Sequence, residues 1–251
     1  MRTICIMNHK GGVGKTTTAI NLAAGLSRND KRVLLIDLDP QGNVDLSLRV
    51  NAEKNIYDAM TGEATLSSCI VNLAKNFDVI SSTETLTKAE HYLYKHDDAR
   101  LLLKQLLSMI SGYDYLLIDC PPSLGILNQN ALAFCKEVFV PTSSDFLGFD
   151  ALKKMEKVID TINETYGHNI RITKVIPTLY DTRNKICKDT LKDINEQFNG
   201  LTSNPIRMNS KLKEAPKKGK SIFKYASSST GAKDYGQLVD DVLGMEARVS
   251  S

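Results

Sequence analysis

Residues 9–17, HKGGVGKTT, place glycines, two lysines and two threonines directly after an apolar run. Glycines let the backbone turn so that successive N–H groups converge on one phosphate, and the start of a following helix adds its positive dipole end. In such a loop Lys15 contacts the β and γ phosphates, and the Thr16 hydroxyl binds a Mg²⁺ that bridges them. The pattern predicts a nucleotide site that includes Gly11, Gly12, Val13, Gly14, Lys15, Thr16 and Thr17.

The loop differs from the general pattern G-x-x-x-x-G-K-[ST] at one position, because His9 stands where the first glycine is expected. A second lysine, Lys10, follows it. Only five positions separate Lys10 from Lys15, so a tight loop cannot easily place both ammonium groups on one phosphate of the same subunit. We therefore expect Lys10 to point outward.

Carboxylates follow two other apolar runs. Asp37 and Asp39 end the segment VLLIDLD at residues 33–39, and Asp119 ends YLLID at residues 115–119. In an open parallel sheet, ligands bind beyond the carboxyl ends of the strands, so these side chains should lie beside the phosphate loop. Asp119 is then an oxygen ligand near Mg²⁺. Asp37 and Asp39 could each instead cap the next turn, and an apolar strand ending in Asp is weak evidence alone.

Short apolar runs alternate with amphipathic stretches along the whole chain. Such alternation predicts an α/β fold with a single doubly wound, mostly parallel sheet and helices on both faces. The predicted strands are residues 3–7, 33–37, 77–80, 115–119, 138–141 and 172–176. The predicted helices are residues 15–28, 98–110, 125–135, 149–165 and 182–198. Residues 43–68 and 204–232 are the least regular, and residues 246–251 are expected to be a frayed tail.

Composition narrows the class of protein. The chain has 251 residues, 42% hydrophobic and 24% charged, which predicts one globular domain over residues 1–251. No apolar run approaches the roughly eighteen residues of a membrane span, and no signal-peptide pattern precedes the first strand, so we expect a cytoplasmic protein without a membrane partner. The five cysteines are widely spaced among apolar neighbours and are expected to be buried thiols.

Basic charge is concentrated in residues 205–224, which hold seven cations and one acid, although the whole chain has a net charge of only +3. Such a segment is the expected footprint of a protein that binds the phosphate backbone of a nucleic acid. Phe223 is the one aromatic residue among these cations, which is too few for a single-strand stacking platform, so duplex DNA is the predicted ligand. Taken alone, a run of charge is more often a solvated surface.

Residues 10–16, KGGVGKT, resemble the deviant Walker A motif of the ParA/MinD family of ATPases, and DLDPQGN at residues 37–43 resembles the Walker A′ motif of its ParA branch. The resemblance extends to about Pro216 and is strongest to the short, Soj-type members. It implies ATP and Mg²⁺ as cofactors, with Lys10, Lys15 and Asp39 catalytic and Thr16, Asp37 and Asp119 near the metal. Lys10 would cross a dimer interface to the partner's ATP, where two facing nucleotides would otherwise repel. Asp39 would position the attacking water.

The same resemblance covers PIRMN at residues 205–209 and KEAP at residues 213–216. In the family this segment lies by the adenine and leads into a DNA-binding surface. Asn209 and Pro216 thus become candidate adenine neighbours. The candidate DNA-binding residues are Arg207, Lys211, Lys213, Lys217 and Lys218.

The implied function is an ATP-dependent homodimer that binds double-stranded DNA without sequence preference on the nucleoid. A ParB-like partner would stimulate its hydrolysis to segregate a plasmid or a chromosome. One alternative is a MinD-like or cargo-positioning ATPase that acts on a membrane surface or a protein cargo. Another is a metabolic or cluster-carrying P-loop enzyme. The terminal residues 238–251 lack the cationic amphipathic pattern of a membrane-targeting helix.

Overall fold

The computed structural model describes residues 1–94 and 101–249. In these residues seven strands form one sheet, in the order β3-β4-β2-β5-β1-β6-β7. All pairs are parallel except β3 with β4. The strands are β1 (Arg2–Ile6), β2 (Val33–Asp37), β3 (Ile70–Ala74), β4 (Phe77–Ile80), β5 (Tyr115–Asp119), β6 (Glu137–Ser143) and β7 (Arg171–Thr178).

Helices cover both faces of the sheet. They are α1 (Lys15–Arg28), α2 (Asn43–Leu48), α3 (Ile56–Thr61), α4 (Leu86–Tyr94), α5 (Leu102–Leu107), α6 (Ile126–Phe134), α7 (Phe146–Tyr166), α8 (Lys185–Gln197), α9 (Ser210–Glu214), α10 (Ile222–Tyr225) and α11 (Thr230–Val249). Short 3-10 helices occupy Leu66–Cys69 and Pro216–Lys218. This is the doubly wound fold that the alternating pattern predicted.

Strand side chains divide between two cores because successive residues point to opposite faces. In β2, Leu34 and Ile36 pack with helices α3 to α8. Val33 and Leu35 pack on the opposite face with α1, α10 and α11. Every residue of β2 and β5 is buried, so these central strands must be apolar on both faces. Only their last residues, Asp37 and Asp119, depart from that composition.

The structure contains elements that the sequence pattern did not predict. The antiparallel edge strand β3 is half-exposed, and the polar Asn72 interrupts its apolar residues. Segment 43–68 contains α2 and α3, and segment 204–232 contains α9 and α10. The predicted helix 98–110 is α5, which begins at Leu102; residues 98–100 lie outside the described residues.

Helix α11 is the last element of the described residues. It ends at Val249, and Lys31 donates to a carboxylate oxygen of Glu246 at 2.8 Å. Ser250 and Ser251 lie outside the described residues. Helix α11 packs on α1, with Tyr235 and Val239 buried in the shared core. This long helix therefore completes the face that carries the phosphate loop.

The five cysteines are free and buried. The thiol of Cys5 lies close to those of Cys120 and Cys135, two neighbours that sequence spacing did not reveal. Burial raises the pKa of the Cys5 thiol well above its usual range. Within the described residues, no helix combines the length and the hydropathy that crossing a bilayer requires.

Candidate nucleotide site

The phosphate loop connects β1 to α1. Gly12 and Gly14 have φ angles of 74° and 85°, which side chains with a Cβ rarely adopt. A Cβ built on Gly11, Gly12 or Gly14 would meet no atom within 4 Å, so open space lies in front of the loop. Gly14 precedes α1 without a side-chain cap, which leaves the first N–H groups of the helix available to an anion.

Two hydrogen bonds anchor the loop to the sheet. The Asn8 side chain donates to the Pro141 carbonyl at 2.8 Å and accepts from the Lys10 amide at 2.9 Å. The Thr178 hydroxyl donates to the Val13 carbonyl at 2.8 Å. Both contacts come from the same side of β1, where β6 and β7 follow it in the sheet, and they hold the loop against those two strands.

Lys15 lies at the first turn of α1 with 7% of its surface exposed. Burial lowers the pKa of its ammonium group, and the nearby Asp119 and Asp39 carboxylates oppose that shift. The ammonium donates to the Lys10 carbonyl at 3.4 Å. Lys15, Thr16 and Asp39 line one cleft of about 450 Å³ together with the loop glycines. The structure thus brings these predicted residues into one site.

Asp37 and Asp119 end neighbouring strands as a directly registered pair. Both are fully buried. Asp37 accepts from the amides of Asp39 at 2.9 Å and Val44 at 3.0 Å, whereas neither oxygen of Asp119 makes a hydrogen bond of ordinary geometry, although the Thr16 hydroxyl lies close to it. Burial raises the pKa of Asp37 well above its usual range, and the Asp119 charge raises it further.

These carboxylates fit a magnesium site. Two buried oxygens without partners are unusual unless a cation or water completes them. Burial raises the pKa of Asp119 as well, while the Thr16 hydroxyl and Lys15 oppose that shift. Thr16 and Asp119 therefore lie close together and supply the hard oxygen ligands that Mg²⁺ prefers.

The turn after β2 orients Asp39. Asp39 is 7% exposed, and its side chain accepts from the Gln41 amide at 3.0 Å. The Ser82 hydroxyl donates to the Asp39 carbonyl. Gly42 has a φ of 59°, and a Cβ there would approach the Ser82 carbonyl to 2.8 Å, so the close turn needs glycine. These contacts hold the Asp39 carboxylate at the edge of the cleft.

Lys10 points away from the cleft, but not into open solvent. Its ammonium donates to Asp145 at 2.9 Å and 3.2 Å and to the Ser143 hydroxyl at 2.9 Å. Asp145 also caps α7 by accepting from the Gly148 amide at 2.8 Å. No sequence pattern pointed to this partner, because Asp145 lies 135 positions further along the chain than Lys10.

Comparisons with known proteins identify the relatives of this chain. Residues 1–172 match the AAA_31 family model, described as AAA domain. The chain is 34% identical to the chromosome-partitioning ATPase Soj of Treponema pallidum over 98% of this chain and 99% of that protein. It is 35% identical to the chromosome partitioning protein ParA of Myxococcus xanthus, over 96% and 88% of the two chains.

This chain belongs to the ParA/MinD family of deviant Walker A ATPases. The relatives are of the Soj and ParA type, so the family predicted from the two motifs is confirmed. A solved cobyrinic acid a,c-diamide synthase from Mycobacterium smegmatis, with bound ADP and magnesium, superposes with a TM-score of 0.82. It is 28% identical and aligns over 97% of this chain and 94% of that one. The fold is therefore also that of a nucleotide-binding enzyme outside partition.

Four further residues line the cleft of this ParA/MinD-family chain, and sequence analysis assigned none of them a role. They are Gln41, Asn43, Ser47 and Pro122. Gln41 and Asn43 could have been found, since they belong to the DPQGN run. Ser47 reaches the cleft only because α2 turns back toward the loop.

Asn209 and Pro216 do not line this cleft. Asn209 caps α9 by accepting from the Lys211 amide at 2.8 Å, and its amide group donates to the Thr230 hydroxyl. Pro216 begins a 3-10 helix. Their position beside an adenine ring stays a prediction.

The predicted DNA-binding residues of this family member fall into two groups. Arg207 donates to Asp234 and Lys211 donates to Glu214, so both are already paired. Lys213, Lys217 and Lys218 are exposed, as are Lys220 and Lys224, and among the described residues none of the five forms an ion pair.

Helix α2 connects this basic segment to the nucleotide cleft. It begins at Asn43 in the cleft and packs against Pro216–Lys218. Arg49, its C-terminal cap, donates to the Lys217 carbonyl at 2.8 Å. A shift of the Walker A′ turn would therefore reach the exposed lysines through one short helix.

Proposed function

We propose that this protein is a partition ATPase that hydrolyses ATP with Mg²⁺ and that ATP joins two copies face to face. The main support is the difference between the two loop lysines: Lys15 is buried in the cleft beside Asp119, whereas Lys10 leaves the cleft toward its rim. One lysine can serve its own subunit's phosphates, and the other is left for a second nucleotide. Names of the relatives support the same assignment.

Each residue of the cleft has a physical task in the proposed reaction. Lys15 and the amides at the start of α1 bind the β and γ phosphates. Thr16 and Asp119 hold Mg²⁺, with Asp37 supporting them, and the ion neutralises charge on the phosphate oxygens. Asp39 orients a water for in-line attack, because phosphoryl transfer depends chiefly on positioning and charge stabilisation.

The exposed lysines give this ATPase a surface for DNA. Lys213, Lys217, Lys218, Lys220 and Lys224 form a cationic strip without acidic partners among the described residues. Such a strip binds duplex phosphates without reading sequence. We propose that the ATP dimer binds nucleoid DNA through this strip and that a ParB-like partner stimulates hydrolysis and release.

Sedimentation with duplex DNA in ATP, in ADP and without nucleotide tests the proposal. We expect retention with ATP alone, and loss of retention as salt increases. Lys10→Gln should abolish the ATP-dependent doubling of mass in light scattering while ATP still binds. Asp39→Ala should keep the dimer and lose hydrolysis by roughly a hundredfold or more.

A different result would favour a positioning ATPase that acts elsewhere. Sedimentation with anionic liposomes, or with a protein cargo, but not with DNA would overturn the partition assignment. An undiminished dimer of Lys10→Gln would overturn the role of Lys10 across the interface.

A further inference from the structure

Asp145 and Ser143 of the same subunit together bind the Lys10 ammonium, and we call this pair of side chains the Lys10 receptor. The ammonium lies 2.9 Å from Asp145 Oδ1 and 2.9 Å from Ser143 Oγ. Burial alone would raise the pKa of Asp145, but hydrogen bonds from Lys10, the Gly148 amide and Ser143 lower it. The carboxylate is therefore ionised and aligned on the lysine at neutral pH.

The backbone around the receptor is rigid. The Asp145 amide donates to the Ser143 carbonyl at 2.8 Å, and the Thr142 hydroxyl donates to the Gly148 carbonyl at 2.9 Å. A Cβ on Gly148 would lie 2.1 Å from the Ser143 carbonyl oxygen, so the first turn of α7 sits directly on the end of β6. Ser143 and Asp145 are thus fixed before Lys10 reaches them.

The ion pair is accessible enough to open. The Lys10 side chain is 27% exposed and that of Asp145 is 47% exposed. Phe146 and Leu147, the next two residues, are 73% and 63% exposed. Lys10 therefore lies at an open rim, where a second molecule could approach it without unfolding either element.

We propose that Asp145 stores Lys10 on its own subunit in the nucleotide-free chain and opposes dimer formation until ATP of a partner competes for it. This inference rests on the proposed function, in which Lys10 reaches the partner's nucleotide. A carboxylate at one site and a triphosphate at the other cannot hold the same ammonium at once. Asp145 is thus a positioning residue that sets how readily the ATP dimer closes.

The size of the effect follows from the exposure of the pair. Half-exposed ion pairs change an equilibrium by about threefold. Two copies of the pair must open for each symmetric dimer, so their contributions multiply to about tenfold in the dimerisation constant. Salt weakens such a pair, so the effect should shrink as ionic strength rises.

Asp145→Asn is the decisive variant. Asparagine caps a helix as well as aspartate does, so α7 keeps its start while the charge on Lys10's receptor is lost. With a non-hydrolysable ATP analogue at saturation, we expect the protein concentration at half-dimerisation, measured by sedimentation velocity, to fall about tenfold at low salt. The difference from the unaltered chain should narrow as salt is added.

Three controls separate the possible causes. Asp150→Asn removes the same charge one turn further along α7, where Asp150 pairs with Lys154 at 2.7 Å, and it should leave the midpoint unchanged. In a Lys10→Gln background, which should not dimerise, Asp145→Asn should not restore the dimer. Should Asp145→Asn fail to fold, Ser143→Ala removes the other Lys10 contact and should shift the midpoint in the same direction.

The outcomes distinguish this inference from the proposed function. An unchanged or higher midpoint for Asp145→Asn, with a dimer that still requires Lys10, would overturn storage by Asp145 and leave the partition ATPase standing. If Asp150→Asn lowered the dimerisation midpoint as much as Asp145→Asn does, the cause would be the loss of one negative charge anywhere on α7. That result would also overturn the proposal that Asp145 stores Lys10. A dimer that does not require Lys10 would overturn both.

Discussion

Arg207 neutralises the buried carboxylate of Asp234. Its guanidinium donates to Asp234 Oδ1 at 2.5 Å and to Oδ2 at 3.0 Å, and its backbone amide donates to Oδ2 at 2.9 Å. Asp234 is 4% exposed and lies in the first turns of α11. The pair therefore joins the segment after β7 to the last helix. Arg207, proposed from sequence as a DNA contact, has this structural task whether or not it also touches a phosphate.

Arg207→Ala should destabilise the fold, because it leaves a buried charge without its partner. We expect the free energy of unfolding in urea to fall by about 2 to 3 kcal/mol, near the lower end for a broken buried pair since the arginine side is partly exposed. Arg207→Ala combined with Asp234→Asn should recover most of that loss. A fall that the second substitution does not relieve would contradict this account.

Gly148→Ala should destabilise through overlap with Ser143. The new Cβ would lie 2.1 Å from a backbone oxygen and 2.6 Å from Ser143 Oγ, so either α7 or the end of β6 must shift. We expect a loss of about 3 kcal/mol, at the upper end for overpacking, in urea unfolding monitored by circular dichroism.

Gly236→Ala is the matched control for that prediction. Gly236 lies within α11, and a Cβ there meets no atom within 4 Å. Alanine should therefore stabilise the helix by about 0.5 to 1 kcal/mol. Equal effects from the two substitutions would mean that helix propensity, not contact with Ser143, determines the result.

The nucleotide cleft could be predicted from sequence because its parts are local. Strand, loop and helix are consecutive around Lys15, and Asp37 and Asp119 each end an apolar run whose direction is fixed by the parallel sheet. Pairing β2 with β5 then aligns the two carboxylates without further information.

The partners of Lys10 and Arg207 could not be predicted in this way. Lys10 meets Asp145 because β1 and β6 are neighbours in the sheet, and Arg207 meets Asp234 because α11 returns to the segment after β7. Motif resemblance assigned Lys10 to a ligand, and the basic segment with its resemblance assigned Arg207 to one, because neither sequence signal has information on which acids the fold brings near. The edge strand β3 was missed because Asn72 interrupts its apolar residues. Its place in the sheet is set by pairing with β4, which the sequence pattern of β3 alone does not show.

Lys218→Ala should weaken DNA binding by removing one phosphate contact. Lys218 is exposed and unpaired among the described residues. We expect the slope of log affinity against log salt, measured by fluorescence anisotropy with duplex DNA and ATP, to decrease in magnitude by about 0.9 for each protomer whose Lys218 contacts a phosphate. Lys192→Ala on α8, where the lysine pairs with Glu196, should leave the slope unchanged. If Lys218→Ala and Lys192→Ala reduced the slope equally, DNA binding would depend on the net charge of the protein rather than on the basic strip.

Asp45→Asn should change the pH dependence of stability. Burial raises the pKa of Asp45 to about 6, opposed by Ser81, and Asp45 Oδ1 is buried without a hydrogen-bond partner. Because the folded pKa exceeds the unfolded value of about 3.9, the native state binds the proton more tightly, and stability falls as pH rises between these values. Above pH 6 the cost is complete.

Urea unfolding at a series of pH values tests this. Below about pH 3 the carboxyl is protonated in both states, so the variant differs from the unaltered chain by a constant. From pH 4 to pH 6 the variant should gain about 1 to 2 kcal/mol relative to the unaltered chain, a range reduced for partial exposure, and the gain should be level above pH 6. Asp193→Asn on the exposed face of α8 is the control for removing a carboxylate from the protein surface. A constant difference for Asp45→Asn would mean that folding does not desolvate this carboxylate.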